Sequence, residues 1–337
     1  MKKILITGGL GYIGAHTAVE CIQRGYLVVL ADNLSNTRAE VLEGIEAITG
    51  IKPLWVKVDL SNAPEAEDFL NNNGPFDGII HFAAFKAVGE SVSHPLKYYK
   101  NNLQSEIYLL DYVAKQPGTS FIFSSSCTVY GQADVLPITE DAPMKPAESP
   151  YGNTKQIGEA ILRDVVIAHG CKAIALRYFN PIGAHPSGHI GELPLGVPQN
   201  LVPFVTQAAA GLRAQLSVFG NDYPTRDGTA IRDYIHVVDL AQAHVLAMER
   251  LLQNTSQEPM ETFNIGTGTG STVLEVLSSF ERATGQKCPW TFAPRRLGDV
   301  VAAYADTSKA HQVLGWQAKR SLDEAMRDAW NWQSKVS

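Results

Sequence analysis

The chain reads as an α/β protein, a doubly wound parallel sheet joined to a smaller mixed α/β lobe. Three observations predict this. Apolar runs of strand length alternate with helical stretches through the first half. A glycine-rich turn links the first strand to the first helix, and an aspartate ends the second strand. After Phe179 the rhythm breaks, and glycine and proline become frequent.

In chain order, the strand-length runs are 4–7, 28–31, 54–58, 78–82, 121–124 and 173–176. Helical stretches fall between them near 12–23, 38–48, 62–72, 95–115 and 152–168. That alternation puts helices on both faces of a parallel sheet. Residues 181–230 read as long loops with one helix near 201–212. Further helices fall near 239–252, 272–284 and 321–333. The expected division is 1–180 and 181–337, with some segments of the second part returning to the first sheet.

Composition narrows the function classes. The 337 residues are 45% hydrophobic, so the chain has a sizeable core and is not disordered. Its formal charge is −6 and its basic residues are dispersed, which argues against nucleic acid as the ligand. Cys21, Cys127, Cys171 and Cys288 form no CxxC pair and no zinc spacing, a usage that fits a reducing cytoplasm. No run reaches the length of a membrane span. The opening "MKKILITGG" is basic then apolar, but its apolar run is too short for a secretory signal.

The stretch "ITGGLGYIG" carries Gly9, Gly11 and Gly14 at GxGxxG spacing, and Gly8, Gly11 and Gly14 at GxxGxxG spacing. Glycine there permits a tight turn and lets backbone amides approach a pyrophosphate at the helix N-terminus. Asp32 lies 18 residues beyond Gly14, at the end of "VVLAD". A carboxylate at that place accepts hydrogen bonds from a ribose and repels a 2′-phosphate, so NAD is favoured over NADP. Residues 1–180 are therefore expected to form a Rossmann domain. "NIGTGTGS" (264–271) also has spaced glycines, but no strand and acidic residue follow, so Ser271 or Thr272 is expected to cap the next helix.

"SPYGNTK" (149–155) places Tyr151 and Lys155 four residues apart. On a helix, at ~100° per residue, they share one face. Ser149 suits the N-cap and Pro150 the first helical position. Tyr151 then lies at the positive end of the helix dipole, and dipole and lysine both favour a phenolate. Free tyrosine titrates near ~10, so base duty at neutral pH needs a shift of about three units. His185 and His189 flank "PSG", which does not hold a helix, and His81 reads as a sheet-end packing residue, so no metal is expected.

With the glycine turn, "FSSSCTVYG" (123–131) and the YxxxK, the chain resembles an extended short-chain dehydrogenase/reductase, and more closely the UDP-glucose 4-epimerase family. "FAAFKAVGES" (82–91), "RYFNPIGAHPSGHIGE" (177–192), "FGNDYPTRDGTAIRDYIHVVDLA" (219–241) and "FAPRRLGD" (292–299) carry the closer likeness. The resemblance implies C4 epimerisation of a UDP-hexose through a transient 4-keto sugar, with NAD retained and the hydride returned. It implies a catalytic group of Ser126, Tyr151 and Lys155. Tyr151 would exchange the sugar O4 proton, Ser126 would bind O4, and Lys155 would hold the nicotinamide ribose and favour the tyrosinate. Tyr12 and Ile13 would lie in the pyrophosphate turn with Gly8, Gly11 and Gly14. Asp32 and Asn33 would meet the ribose, with Leu34, Ser35, Asn36 and Thr37 nearby, and Asp59 and Leu60 would lie by the adenine. Phe82, Ala83, Ala84, Lys86, Asn101, Ser124 and Phe179 would complete the cofactor cleft. For the nucleotide sugar the corresponding residues are Asn180, Asn200, Leu201, Phe219, Arg232, Arg296, Asp299 and Ala303, with the two arginines suited to a diphosphate.

The resemblance also implies a homodimer. In the helix near 95–115, Leu96, Tyr99, Leu103, Ile107 and Leu110 are expected to meet the sheet. Tyr98, Tyr108, Leu109 and Tyr112 are expected on the opposite face, and the next helix is apolar on more than one side through Ile157, Ile161, Leu162 and Val166, so the two helices are expected to meet a second copy about a two-fold axis. In "GDVVAAYAD" (298–306), Ala303 stands where family members that exclude N-acetylated sugars tend to have tyrosine. Its small volume implies acceptance of N-acetylhexosamines as well as plain hexoses. Three rival readings remain. A dehydratase or decarboxylase is disfavoured, because resembling dehydratases follow the catalytic hydroxyl with Asp-Glu and this chain has Cys127 and Thr128. An epimerase of a UDP-uronic acid would need one more pocket cation. A non-catalytic dinucleotide sensor would not need Ser126, Tyr151 and Lys155.

Overall fold

β1 (Lys3–Thr7), α1 (Tyr12–Gln23), β2 (Leu27–Asp32), α2 (Val41–Thr49), β3 (Leu54–Lys57) and α3 (Ala63–Asn73) form the first half of the winding. β4 (Gly78–His81), α4 (Val88–Ser93), α5 (Pro95–Lys115), β5 (Ser120–Ser126), α6 (Pro150–His169) and β6 (Ala173–Tyr178) form the second. There follow β7 (Asn180–Ile182), α7 (Leu201–Ala209), β8 (Leu216–Phe219), β9 (Ile231–His236), α8 (Val237–Leu252) and β10 (Met260–Ile265). The chain ends with β11 (Gly270–Thr272), α9 (Val273–Thr284), β12 (Trp290–Ala293), β13 (Ala302–Ala303), α10 (Ser308–Leu314) and α11 (Leu322–Val336). The computed structural model describes residues 1–296 and 299–336. Gly298, which anchors the reading of 298–306, lies outside the described residues.

The main sheet has seven strands in the order β10-β6-β5-β4-β1-β2-β3. Its pairings are all parallel. Winding reverses between β1 and β4, which opens a crevice at the carboxyl ends of those strands. One face is covered by α1 and α8, where Ile4, Ile6, Ala18, Val19, Ala243 and Met248 pack together. The other is covered by α3, α5 and α6, where Leu5, Ile79, Phe69, Leu109 and Leu162 pack together. A smaller core under α7, α9 and α11 holds Val205, Phe280 and Met326. β7, β9, β11 and β13 form a second sheet.

Two sequence expectations are corrected. First, β10 joins the main sheet although its sequence carries no apolar run. Its residues mix polar and apolar, and the side chains of Glu261 and Asn264 are spent internally. Glu261 accepts from Arg250 Nε at 2.6 Å, and Asn264 Oδ1 accepts from the Tyr130 hydroxyl at 2.7 Å. Second, α5 presents the opposite faces. Tyr98, Leu109 and Tyr112 are buried toward the sheet, whereas Leu96 is 69% and Ile107 43% exposed, and Tyr99 and Leu103 are half-buried. Of the expected sheet-facing stripe, Leu110 alone is buried. The inward face tolerates polar groups because they have partners. Asn102 serves the Phe85 backbone amide at 2.9 Å and carbonyl at 3.0 Å, and Tyr98 donates to Glu90 at 2.7 Å. Counting apolar residues cannot see such partners.

Among the described residues no helix is long and apolar enough to cross a membrane, and no His/Cys/Asp/Glu group could hold a metal. His81 is buried, its Nδ1 lies 2.8 Å from the Thr7 hydroxyl, and burial pulls it down to about 3. It packs on Phe121 and Phe123, as expected of a sheet-end residue.

Candidate active site

The glycine turn sits at the switch point of the sheet. A side-chain carbon at Gly14 would drive into the Gly8 carbonyl, so only glycine lets α1 start this close to β1. Gly11, the N-cap of α1, offers no side chain to the first-turn amides, which leaves them for an anion. Asp32 takes the Leu10 amide at 3.1 Å on one oxygen and the Leu34 amide at 2.9 Å on the other. Burial pushes its pKa up, opposed by those amides. Thr37 ties the following loop back to the turn through the Leu10 carbonyl at 2.6 Å. Asn33, Ser35, Lys57, Val58, Asp59 and Glu65 line an open cleft of about 350 Å³ beside it. Leu34 and Ile13 pack on the core beneath, Leu60 is buried, and Asn36 is exposed. A pyrophosphate cradle, a ribose carboxylate and an adjoining cleft, in that order along the sheet edge, fit a dinucleotide.

The β4 end continues the crevice. The Thr7 hydroxyl accepts from the amides of Phe82 and Ala83, both at 3.2 Å, and Phe82 packs against His244. Ala84 follows, half-buried. Lys86 reaches Glu192 at 2.9 Å and lies over the Tyr12 ring, while Asn200 donates to the same Glu192 oxygen at 2.7 Å. The Tyr12 hydroxyl donates to the Gly183 carbonyl at 2.7 Å. Asn101 donates to Asn102 at 3.0 Å.

α6 starts as its sequence predicts. Ser149 caps it, accepting from the Gly152 amide at 3.1 Å, and Pro150 occupies the first turn. Tyr151 and Lys155 are both buried on that helix. Lys155 Nζ donates to the Ser124 carbonyl at 2.6 Å and lies 4.8 Å over the Phe123 ring. Ser126, the last residue of β5, lies beside Tyr151 and accepts from the Thr128 amide at 3.2 Å. Burial pushes the Tyr151 phenol well above its ordinary value, Tyr178 adds to this, and the nearby Ser126 hydroxyl opposes it. In this structure burial outweighs the groups that lower the tyrosine. Burial also pulls the Lys155 ammonium down, opposed by Glu106 and Glu159. The Cys127 thiol is pushed up to about 12 by burial, so it is no thiolate nucleophile.

The second sheet carries Asn180 on β7, Arg232 on β9 and Ala303 on β13. Ala303 pairs with Arg232 in the β13–β9 register. Ala303 packs against the cluster that includes Val129 and Phe179, while the Tyr304 ring lies beside Gly270. Arg232 is ion-paired with Asp299, and Arg296 lies 4.0 Å over the Phe219 ring. Asn180 stands in register with Tyr234, and Leu201 opens α7.

Sequence reasoning missed the polar framework behind the site. Arg177 grips Glu159 with two hydrogen bonds, of 2.8 and 2.6 Å, and Ser125 donates to Glu159 at 2.5 Å. The second glycine loop wraps buried Asp233, which accepts from the Thr267 amide at 2.7 Å and the Gly268 and Ala305 amides at 3.1 Å. Thr272 caps α9 in a capping box, as expected. The arginine at 177 and the carboxylate at 159 were visible, but strand and helix patterns do not reveal a partner 18 residues away.

A parallel sheet of this order, with a glycine turn at its switch point and a Ser/Tyr/Lys group at the ends of β5 and α6, defines an extended short-chain dehydrogenase/reductase. Residues 5–329 match the family model described as GDP-mannose 4,6 dehydratase. The UDP-glucose 4-epimerase of Bacillus subtilis (strain 168) is 52% identical over 332 residues, 98% of this chain and 96% of that protein. The solved UDP-glucose 4-epimerase of Stenotrophomonas maltophila, with bound NAD and formylated UDP-arabinopyranose, matches at a TM-score of 0.94 and 44% identity, covering 100% of this chain and 99% of its own. That of Bifidobacterium longum, in complex with NAD+ and UDP, matches at a TM-score of 0.94 and 44% identity, covering 99% and 98%. The chain belongs to the UDP-glucose 4-epimerase family.

Proposed function

We propose that the chain interconverts UDP-glucose and UDP-galactose by inverting C4, using tightly held NAD. The observation that carries this is the joining of Ser126, Tyr151 and Lys155 at the sheet end, below a wall formed by Arg232 and Ala303. Tyr151 takes the sugar O4 proton and returns it, and Ser126 orients O4. Lys155 binds the nicotinamide ribose and supplies positive charge near the phenol. Bound in the crevice, NAD supplies reversible hydride acceptance at C4 and a cationic ring. Since burial pushes Tyr151 up, that added positive charge is what brings the phenol into the working range. The cofactor contacts are those of Gly8, residues 11–14, 32–37, 59–60 and 82–84, Lys86, Asn101, Ser124, Tyr151, Lys155 and Phe179. Asn180, Asn200, Leu201, Phe219, Arg232, Arg296 and Asp299 hold the nucleotide sugar. The dinucleotide domain is 1–180, and the sugar lobe is drawn from 181–337, with α8 and β10 returned to the main sheet.

The same reading extends to N-acetylated sugars. A methyl at 303 leaves room beside the sugar C2, and Tyr304 points elsewhere. Overfilling a packed site costs about 1–3 kcal/mol, or roughly tenfold to a hundredfold in selection. Assays of UDP-galactose, UDP-N-acetylgalactosamine and UDP-galacturonate in parallel should give turnover of the first two. Ala303→Tyr should suppress the N-acetyl activity by that factor and spare the plain hexose. A wild-type protein inactive on both N-acetylhexosamines would remove Ala303 as the determinant.

A cytoplasmic homodimer serving galactose metabolism completes the proposal. Leu96, Tyr99, Leu103 and Ile107 of α5 lie outward, with Ile161 and Val165 of α6 lining a shallow groove beside Ile107. Paired about a two-fold axis, these helices would bury that stripe. Light scattering should give twice the chain mass at micromolar concentration; a monomer mass would refute the dimer.

A further inference from the structure

Glu106 is a buried carboxyl with no part in the reaction just described. It lies on the sheet-facing side of α5 and is 1% exposed, and its Oε1 has no hydrogen-bond partner. Its other oxygen sits over α6. A side-chain carbon at Gly158 would come within 2.5 Å of Glu106 Oε2 and within 2.7 Å of Phe123 Cζ. Gly158 is thus the gap that admits the carboxyl between two packed helices. Phe123 is the ring over which Lys155 Nζ lies, at 4.8 Å. Glutamate, glycine and lysine therefore meet around one phenyl ring.

A buried carboxyl without a full set of partners is costly unless it faces a charge. The groups around it decide which charge. On α6, Glu159 is already gripped by Arg177 and Ser125. On β6, Arg177 is spent on Glu159 and the Tyr130 hydroxyl, and Tyr178 is bonded to Ser124 of β5. On β4, His81 is held neutral by burial. The remaining cation is Lys155, whose sole hydrogen bond among the described residues is to the Ser124 carbonyl. We propose that Glu106 is a positioning residue for the epimerase reaction, the buried counter-charge that keeps Lys155 an ammonium beside Tyr151. The directions of titration agree: burial pulls Lys155 down and Glu106 opposes it, while burial pushes Glu106 up and Lys155 opposes it.

The inference rests on the assignment of Lys155 to the catalytic group, and its test is a pH profile. Glu106→Gln keeps the shape and removes the charge, so Lys155 should lose its proton at lower pH. The alkaline limb of kcat should move down by about one pH unit, with about a tenfold loss on that limb and little change at its acid side. Glu106→Asp keeps a carboxylate but draws it back by one methylene, and should shift the limb the same way by less. If Glu106→Gln does not fold, the aspartate variant alone decides. A limb that stays in place in either folded variant, with only thermal stability or overall rate reduced, would overturn the proposal. Lysine-selective NMR of Lys155, assigned with Lys155→Met, should show the same downward shift with no substrate present. A wild-type protein without epimerase activity would therefore refute the functional reading and leave this titration decisive for Glu106.

Discussion

Tyr151→Phe should fold, retain its dinucleotide and lose about 10³-fold of its turnover of UDP-galactose. The loss follows from chemistry at O4. Hydride cannot leave C4 unless the hydroxyl proton has an acceptor, and Tyr151 is the buried phenol beside Ser126 there. Removing one oxygen leaves the ring packed, so α6 and its Ser149 cap should remain intact. Far-ultraviolet circular dichroism and released dinucleotide would check the fold and cofactor, and a stopped assay the rate. Near-normal turnover in this variant would remove Tyr151 as the base.

Gly14→Ala should leave purified protein without its dinucleotide. The added methyl meets the Gly8 carbonyl, a backbone atom that cannot rotate aside. α1 must then move away from β1, and the first-turn amides leave the place of the pyrophosphate. Denaturing the wild-type protein, purified without added cofactor, should release about one dinucleotide per chain, and the variant close to none. A variant that releases as much as wild type would show that the turn is not the cradle.

Much of this site was legible in the sequence because its signals are local. The glycine turn, Asp32 at the strand end, and the Ser149–Pro150 start of the Tyr151 helix each lie within a few residues of what they position. The face of α5 was not legible. Its inward side is chosen by Asn102, Tyr98 and Glu106, whose partners come from α4, α6 and the loop after β4. Apolar periodicity pointed the other way because it cannot weigh a satisfied buried amide against an exposed leucine. The strand β10 was hidden for the same reason, since Glu261 and Asn264 are polar residues with distant partners. The framework of Arg177 and Glu159 and the role of Asp233 likewise depend on contacts that close only in the folded chain.

Turnover of UDP-galactose by protein purified without added NAD tests the central claim most directly. UDP-glucose should form until the two sugars reach equilibrium, with no accumulation of reduced cofactor. Absence of UDP-glucose even after NAD is supplied, or consumption of UDP-galactose matched by release of NADH, would contradict it.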